Sequence, residues 1–436
     1  MAKSSYQMPR LDISSLPGPE SIERRELENG ITILARENFA SPSVVINGYL
    51  QANGLEETEA TAGLSDLAVS ALMRGTQAQS FHEIYESIES IGASLQLASG
   101  KHSVSFFGKG LVDDLDLLLK LLADVLQKPA FPEAHVKRLK GEMLTGIALR
   151  DQDTGSMAQL AFNKLAYPGH PYSIPSSGYA KSISGFEVKD LKAYHRKWIG
   201  PQGMVVAVVG ALPAKKAADA VQAVLGAWRQ PKQAQPPALP PVLHPQGLLE
   251  KEIFIPGKSQ CDIVLGAPGP SRYEKDYLAA ALGNNILGRF GMFGRIGERV
   301  RETEGLAYYA YSSVSGGPGP GAWEVIAGVN PSNRHRAIDL IRDEIRKFIK
   351  SKVKPEELLE NKTNFIGRLP MQLEANEGVA RALVHLERYQ LGLDYYQRYP
   401  ERISSISREE VLAAARRYLD PDNLVVAVAG PVGDGA

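Results

Sequence analysis

The sequence predicts an α+β protein of two homologous domains, each a largely antiparallel sheet with helices packed on one face. Three observations carry that expectation. The chain repeats itself: residues 188–212 lie over residues 408–432 at a constant offset of 220 (408 − 188). Trp198 falls on Tyr418, Pro201 on Pro421, Val205 and Val206 on Val425 and Val426, and Gly210 on Gly430. Within each half, strand patterns come first and helical patterns follow, the order of an α+β layer rather than of alternating α/β units. Between the copies a run from Arg229 to Pro245 carries too much proline for helix or central strand and reads as an extended spacer. Two copies are too few for a solenoid, so the repeat is a two-domain tandem. The expected divisions are a loosely ordered segment 1–20, a domain 21–228, a linker 229–248 and a domain 249–436.

The elements follow from local chemistry. Ile22–Leu27 and Ile31–Glu37 flank Asn29-Gly30, a hairpin signal, and Ser43–Leu50 makes a third strand. Helices are expected from Gly63 to Leu72 and from Ser80 to Ile91, then alternating strands Ser94–Ala98 and Val104–Lys109. Helices from Leu111 to Leu126 and from Phe131 to Ala148 come next. The repeated unit adds an amphipathic helix, a proline turn and a short all-apolar strand that must be buried on both faces. In the second half the strands are Leu249–Ile255, Ile263–Ala267, Ala307–Val314 and Ala322–Val329. The helices there run from Tyr273 to Leu287, from Ser332 to Ser351 and from Pro355 onward. Phe131-Pro132-Glu133 and Lys354-Pro355-Glu356 open matching long helices.

Composition excludes several classes. With 49 basic and 49 acidic residues the chain has no net charge, so bulk electrostatics favour neither nucleic acid nor an anionic membrane. The single cysteine, Cys261, can form neither an intrachain disulfide nor a thiolate cluster. No apolar run approaches the roughly 20 residues that cross a bilayer. The opening Met-Ala-Lys-Ser-Ser-Tyr-Gln-Met-Pro-Arg lacks the apolar core of a secretory signal, and a soluble, cytoplasmic protein is expected.

Two segments carry the chemistry. Residues 63–76 read Gly-Leu-Ser-Asp-Leu-Ala-Val-Ser-Ala-Leu-Met-Arg-Gly-Thr, and residues 301–308 read Arg-Glu-Thr-Glu-Gly-Leu-Ala-Tyr. With the duplication and the element order, they resemble the M16 family of zinc peptidases, the insulinase, pitrilysin and mitochondrial processing peptidase group. Active members carry Gly-x-Ala-His-Phe-Leu-Glu-His-Met-x-Phe-x-Gly-Thr on the first helix, two histidines binding zinc and a glutamate activating water. Here Gly63, Leu64, Gly75 and Thr76 keep the frame, but Asp66 and Ser70 stand at the histidine positions and Val69 at the glutamate. Positions 66, 69 and 70 share a helical face and offer one carboxylate, one aliphatic group and one hydroxyl. Catalytic zinc takes three protein ligands and a water with a base beside it, and Val69 can be neither ligand nor base. Glu142 is the only carboxylate in the window of the family's third ligand. None of the 8 histidines forms an i, i+3 or i, i+4 pair with another.

The second segment keeps what the first has lost. The resemblance implies that Arg301 holds a substrate carbonyl and that Tyr308 hydrogen-bonds the scissile region, acting on the zinc site of another subunit. A guanidinium and a phenol are both donors that stabilise developing negative charge. From spacing alone, a surface arginine and an amphipathic core tyrosine are the alternative. Gly288, Gly291 and Gly294 lie in a glycine-rich turn that lacks the Gly-Lys-Ser/Thr ending of a phosphate loop. They allow close approach to substrate or a tight helix-to-helix connection.

Two functions follow. In the first, the chain is the non-catalytic, substrate-binding subunit of a heterodimeric peptidase, inactive alone, with zinc in a partner of the same family and an unfolded peptide as substrate. In the second, it is a catalytically inactive binding or scaffold protein resembling the core subunits of the respiratory bc1 complex. No metal or other cofactor is expected in this chain.

Overall fold

The structure, a computed structural model, describes residues 8–432. The first half contributes β1 (Glu23–Glu26), β2 (Thr32–Glu37), β3 (Ser43–Leu50), β4 (Ser94–Ser99), β5 (Val104–Leu111) and β6 (Val205–Gly210). They form a 6-stranded sheet in the order β1-β2-β6-β3-β5-β4. The second half contributes β7 (Leu249–Phe254), β8 (Cys261–Pro268), β9 (Ala307–Val314), β10 (Ala322–Val329) and β11 (Val425–Gly430). Their 5-stranded sheet has the order β7-β11-β8-β10-β9. All pairings are antiparallel except β2 with β6 and β7 with β11. With β1 set aside, one sheet maps onto the other strand for strand, so the duplication read from one helix-turn-strand unit extends through the whole plan.

The helices of the first half are α1 (Leu64–Leu72), α2 (Phe81–Glu89), α3 (Leu115–Gln127), α4 (Glu133–Arg150), α5 (Thr154–Ala166), α6 (Ala180–Gly185), α7 (Val188–Trp198) and α8 (Ala214–Leu225). Those of the second are α9 (Tyr277–Gly288), α10 (Phe290–Ile296), α11 (Arg334–Lys350), α12 (Pro355–Gln372), α13 (Asn376–Arg388), α14 (Tyr395–Ser405) and α15 (Arg408–Tyr418). Ends are set by local chemistry. Ser80 and Glu83 form a capping box at the start of α2, and Ser407 and Glu410 form one at the start of α15.

Helices of its own half cover one face of each sheet, and a helix from the other half covers part of the opposite face. Helix α13 lays Val379, Ala380, Leu383 and Leu386 on Leu34, Val45, Val205, Ala207 and Val209 of the first sheet. Helix α5 lays Ala158, Phe162 and Ala166 on Val264, Val425, Ala427 and Ala429 of the second. This reciprocal exchange explains the all-apolar strands β6 and β11, which are buried at every position. An antiparallel strand with one wet face would alternate; these cannot.

Several expectations shift in detail. Asn29-Gly30 does turn the chain between β1 and β2, but Leu27 N–H donates to Ile31 C=O at 2.9 Å, so the loop is wider than two residues. The Asn29 amide is buried and donates to the carbonyls of Leu225 and Trp228. The helix expected from Leu111 begins at Leu115, because Leu111 closes β5 against Ser43. Of segment 1–20, residues 1–7 lie outside those described. The remainder is held rather than loose: Leu16 is 3% exposed and Arg36 donates to the Ser15 carbonyl. In the proline-rich linker Gln233 pairs with the Gln202 backbone in both directions, at 2.9 and 3.0 Å.

Two half-buried histidines give the fold a pH dependence. His102 shares a 2.6 Å hydrogen bond with Tyr172, and His385 accepts from Arg272 at 2.5 Å. Burial, then the charge of neighbouring arginines, pushes both down to about 4 from an ordinary 6.5. A depressed folded pKa means that the neutral ring stabilises the fold. That contribution is complete above the unfolded value of 6.5 and is lost as pH falls toward 4. The denaturation midpoint should therefore drop between pH 7 and 4.5, and the double variant His102→Gln/His385→Gln should show a shallower drop. An equal slope in both proteins would remove the two histidines from the account.

Candidate functional site

Helix α1 holds the positions where the resemblance puts zinc ligands. Its first turn is capped from outside: the Glu57 carboxylate accepts from Ser65 N–H at 2.8 Å and Gly63 N–H at 3.3 Å. Leu67, Ala68, Val69, Ala71 and Leu72 all enter the core of the first half, Val69 at 1% exposure. Burial, and secondarily the charge of Glu57, raises the Asp66 carboxyl above the usual range. Ser70 is half-buried on the same helix. Glu142 on α4 faces outward and pairs with Arg138 at 2.9 Å. Among the described residues no three His, Cys, Asp or Glu side chains converge as a metal site needs. The residues present do not fit a zinc ion.

The second segment is built differently. Helix α10 runs into a π-helical stretch, Gly297–Thr303, that carries Arg301. Gly305 N–H donates to the Arg301 carbonyl at 3.1 Å and Leu306 N–H to that of Val300 at 3.0 Å, which turns the chain directly into β9. Gly305 makes that turn at φ +64 with open space beside it, a conformation that favours glycine. The Arg301 guanidinium lies 5.7 Å from the centre of the Phe293 ring and 3.5 Å from Glu302. Two residues into β9, pairing with β10 steps from Tyr309 opposite Gly328 to Ala307 opposite Val329, leaving Tyr308 in a β-bulge. β9 is the edge of its sheet, and Tyr308 is 62% exposed there. A bulge on an edge strand re-aims a side chain and disrupts the ladder, and such features recur beside active sites. Tyr308 is therefore neither the amphipathic core residue of the alternative reading nor a member of the regular strand.

Its neighbour behaves in the opposite way. Tyr309 donates to the Asp262 carboxylate, which also accepts from Gln260 at 2.8 Å and from Thr154, the first residue of α5. Asp262 is 3% exposed and ties the exchanged helix to the strands beside the candidate site. Sequence reasoning missed Asp262, Tyr309 and the Phe293 seat. Strand alternation after Tyr308 was the available signal for Tyr309, whereas nothing local pointed to Asp262.

The three glycines divide. A Cβ on Gly288 would meet Ser312 N at 2.3 Å, and one on Gly294 would meet Ile286 O at 2.6 Å. The chain itself fills the space beside both, Gly288 against β9 and Gly294 against the end of α9. Gly291 alone has open space beside it. Among the described residues no helix is long and apolar enough to cross a membrane.

Known proteins show the same plan. The family model described as Insulinase (Peptidase family M16) matches residues 34–176, and the one described as Peptidase M16 inactive domain matches residues 185–365. A Streptomyces coelicolor protein described as an uncharacterized zinc protease is 26% identical over 75% of this chain and 72% of its own length. One so described from Bacillus subtilis is 24% identical over 81% and 85%. Among solved structures, a peptidase M16 inactive domain from Pseudomonas fluorescens superposes with a TM-score of 0.86 at 27% identity, covering 94% of this chain and 98% of that one. A protease from Helicobacter pylori shares the fold with a TM-score of 0.85 at 19% identity, over 95% and 100%. With residues 34–176 and 185–365 matched by two models of one family, and the whole plan shared with a solved M16 domain, the chain belongs to the M16 peptidase family.

Proposed function

We propose that this chain is the non-catalytic, substrate-binding subunit of a heterodimeric M16-type zinc metallopeptidase and contributes Arg301 and Tyr308 to the zinc site of a partner subunit. The observation that supports it best is Tyr308: a phenol 62% exposed in an edge-strand bulge, seven residues after an arginine, in a chain whose own α1 puts Val69 in the core. Peptide would be held as a strand added to an exposed sheet edge, where main-chain hydrogen bonds accept many sequences. Arg301 would fix a substrate carbonyl, and the Tyr308 hydroxyl would donate to the oxygen that gains negative charge. Zinc, and the base that activates water, would belong to the partner.

A scaffold or peptide-binding role without catalysis is the second reading. One observation favours it: Arg301 already has Glu302 and Phe293 to engage it. Co-purification with the most similar zinc-motif chain of the same genome, with fluorogenic peptide cleavage assayed for each alone and for the mixture, separates the two. Activity confined to the mixture and lost on chelation is the expected result. A partner fully active alone, or no association, would favour the scaffold.

A further inference from the structure

A cavity of about 270 Å³, lined by neither Arg301 nor Tyr308, opens among α9, α12 and α14. Three guanidinium groups line it, Arg272, Arg289 and Arg368, and no aspartate or glutamate does. None of the three forms an ion pair among the described residues, although the chain as a whole balances 49 basic against 49 acidic residues. Arg272 is half-buried and immobilised without any carboxylate. Its guanidinium lies 4.1 Å from the Tyr277 ring centre and 5.5 Å from that of Tyr389, and donates to His385 Nε2 at 2.5 Å. As an acceptor there, His385 is neutral and leaves the arginine charge uncompensated. Asn284, 4% exposed, accepts from Ser312 Oγ at 2.8 Å through its carbonyl oxygen and commits its amide hydrogens to no protein group among the described residues. Tyr395 and Tyr399 complete the wall.

A half-buried cation costs free energy unless an opposite charge reaches it, and guanidinium forks match the planar edges of phosphate and carboxylate. The charged groups of this cavity are all guanidinium donors, which suits an oxyanion and repels a cation. We infer that the cavity among α9, α12 and α14 binds a small oxyanion of the phosphate or carboxylate class through Arg272, Arg289, Arg368 and the Asn284 amide. The inference does not depend on the peptidase reading, since it uses none of the residues proposed to face a scissile bond.

Titration calorimetry of the full chain at fixed ionic strength, with pyrophosphate in one arm and succinate in the other, tests it. One of the two should bind at a single site, and which one identifies the class. Arg289→Gln/Arg368→Gln should weaken that binding at least about tenfold. Both side chains are exposed, so the fold should persist, as circular dichroism would show. Arg346→Gln, which removes a surface arginine paired with Asp343 and Asp422, should leave binding unchanged. Heats absent in both arms, binding unaltered in the double variant, or equal weakening by Arg346→Gln would each overturn the assignment.

Discussion

Replacing Arg301 with Ala, or Tyr308 with Phe, should lower the peptidase rate of the assembled complex by about a hundredfold, the cost of removing one preorganised donor to a developing oxyanion. Tyr308→Phe is the cleaner change. It deletes one hydroxyl from a side chain that is 62% exposed, so the stability of the chain should move by less than about 0.5 kcal/mol. Arg301→Ala also removes the contact with the Phe293 ring, worth about 0.5–1 kcal/mol at an exposed site. Arg301→Lys keeps a charge but not the planar fork, and should recover only part of the rate. The loss should fall on kcat, with association between subunits unchanged on a sizing column. Full activity of either variant in a correctly assembled complex would sink the role proposed for the pair.

Phe162→Ala should cost about 3–5 kcal/mol of unfolding free energy, the range for deleting a fully buried aromatic ring. Phe162 is 0% exposed and lies on α5, yet the surface it fills is the sheet of the other half. Leu383 on α13, also 0% exposed, is its counterpart on the first sheet, and Leu383→Ala should cost about 2–5 kcal/mol. Each half borrows a helix from the other to cover a sheet face, so denaturant should unfold the chain in one transition, and either substitution should move that transition as a whole. Two separable transitions in the unaltered chain, or a cost below about 1 kcal/mol for Phe162→Ala, would show that the exchanged helices contribute little.

Much of the fold was legible because it is written in short-range signals. Val205–Gly210 and Val425–Gly430 are apolar at every position, which required covering on both faces, and Asn29-Gly30 marked the turn between the first two strands. What covers the second face was not legible. Helix α5 follows α4 after a break of three residues and carries an ordinary amphipathic pattern, and no local feature says that its apolar side belongs to a sheet that begins 83 residues later (249 − 166). The seven-residue spacing of Arg301 and Tyr308 was visible, but a strand pattern predicts alternation, and a bulge depends on how β10 pairs across from it. The same limit applies to the glycines, where the packing of Gly288 against Ser312 of β9 is invisible in composition.

By itself the sequence determined the duplication, the α+β order of each half and the loss of the zinc ligands, because each is a matter of which side chains occur at which spacing. Only the tertiary structure decided that the halves exchange α5 and α13, that Tyr308 projects from an edge-strand bulge, and that Arg368 joins Arg272 and Arg289 in one cavity without a carboxylate. These depend on contacts between residues distant in sequence, whose free energy comes from packing and hydrogen-bond partners available only once both sheets are assembled.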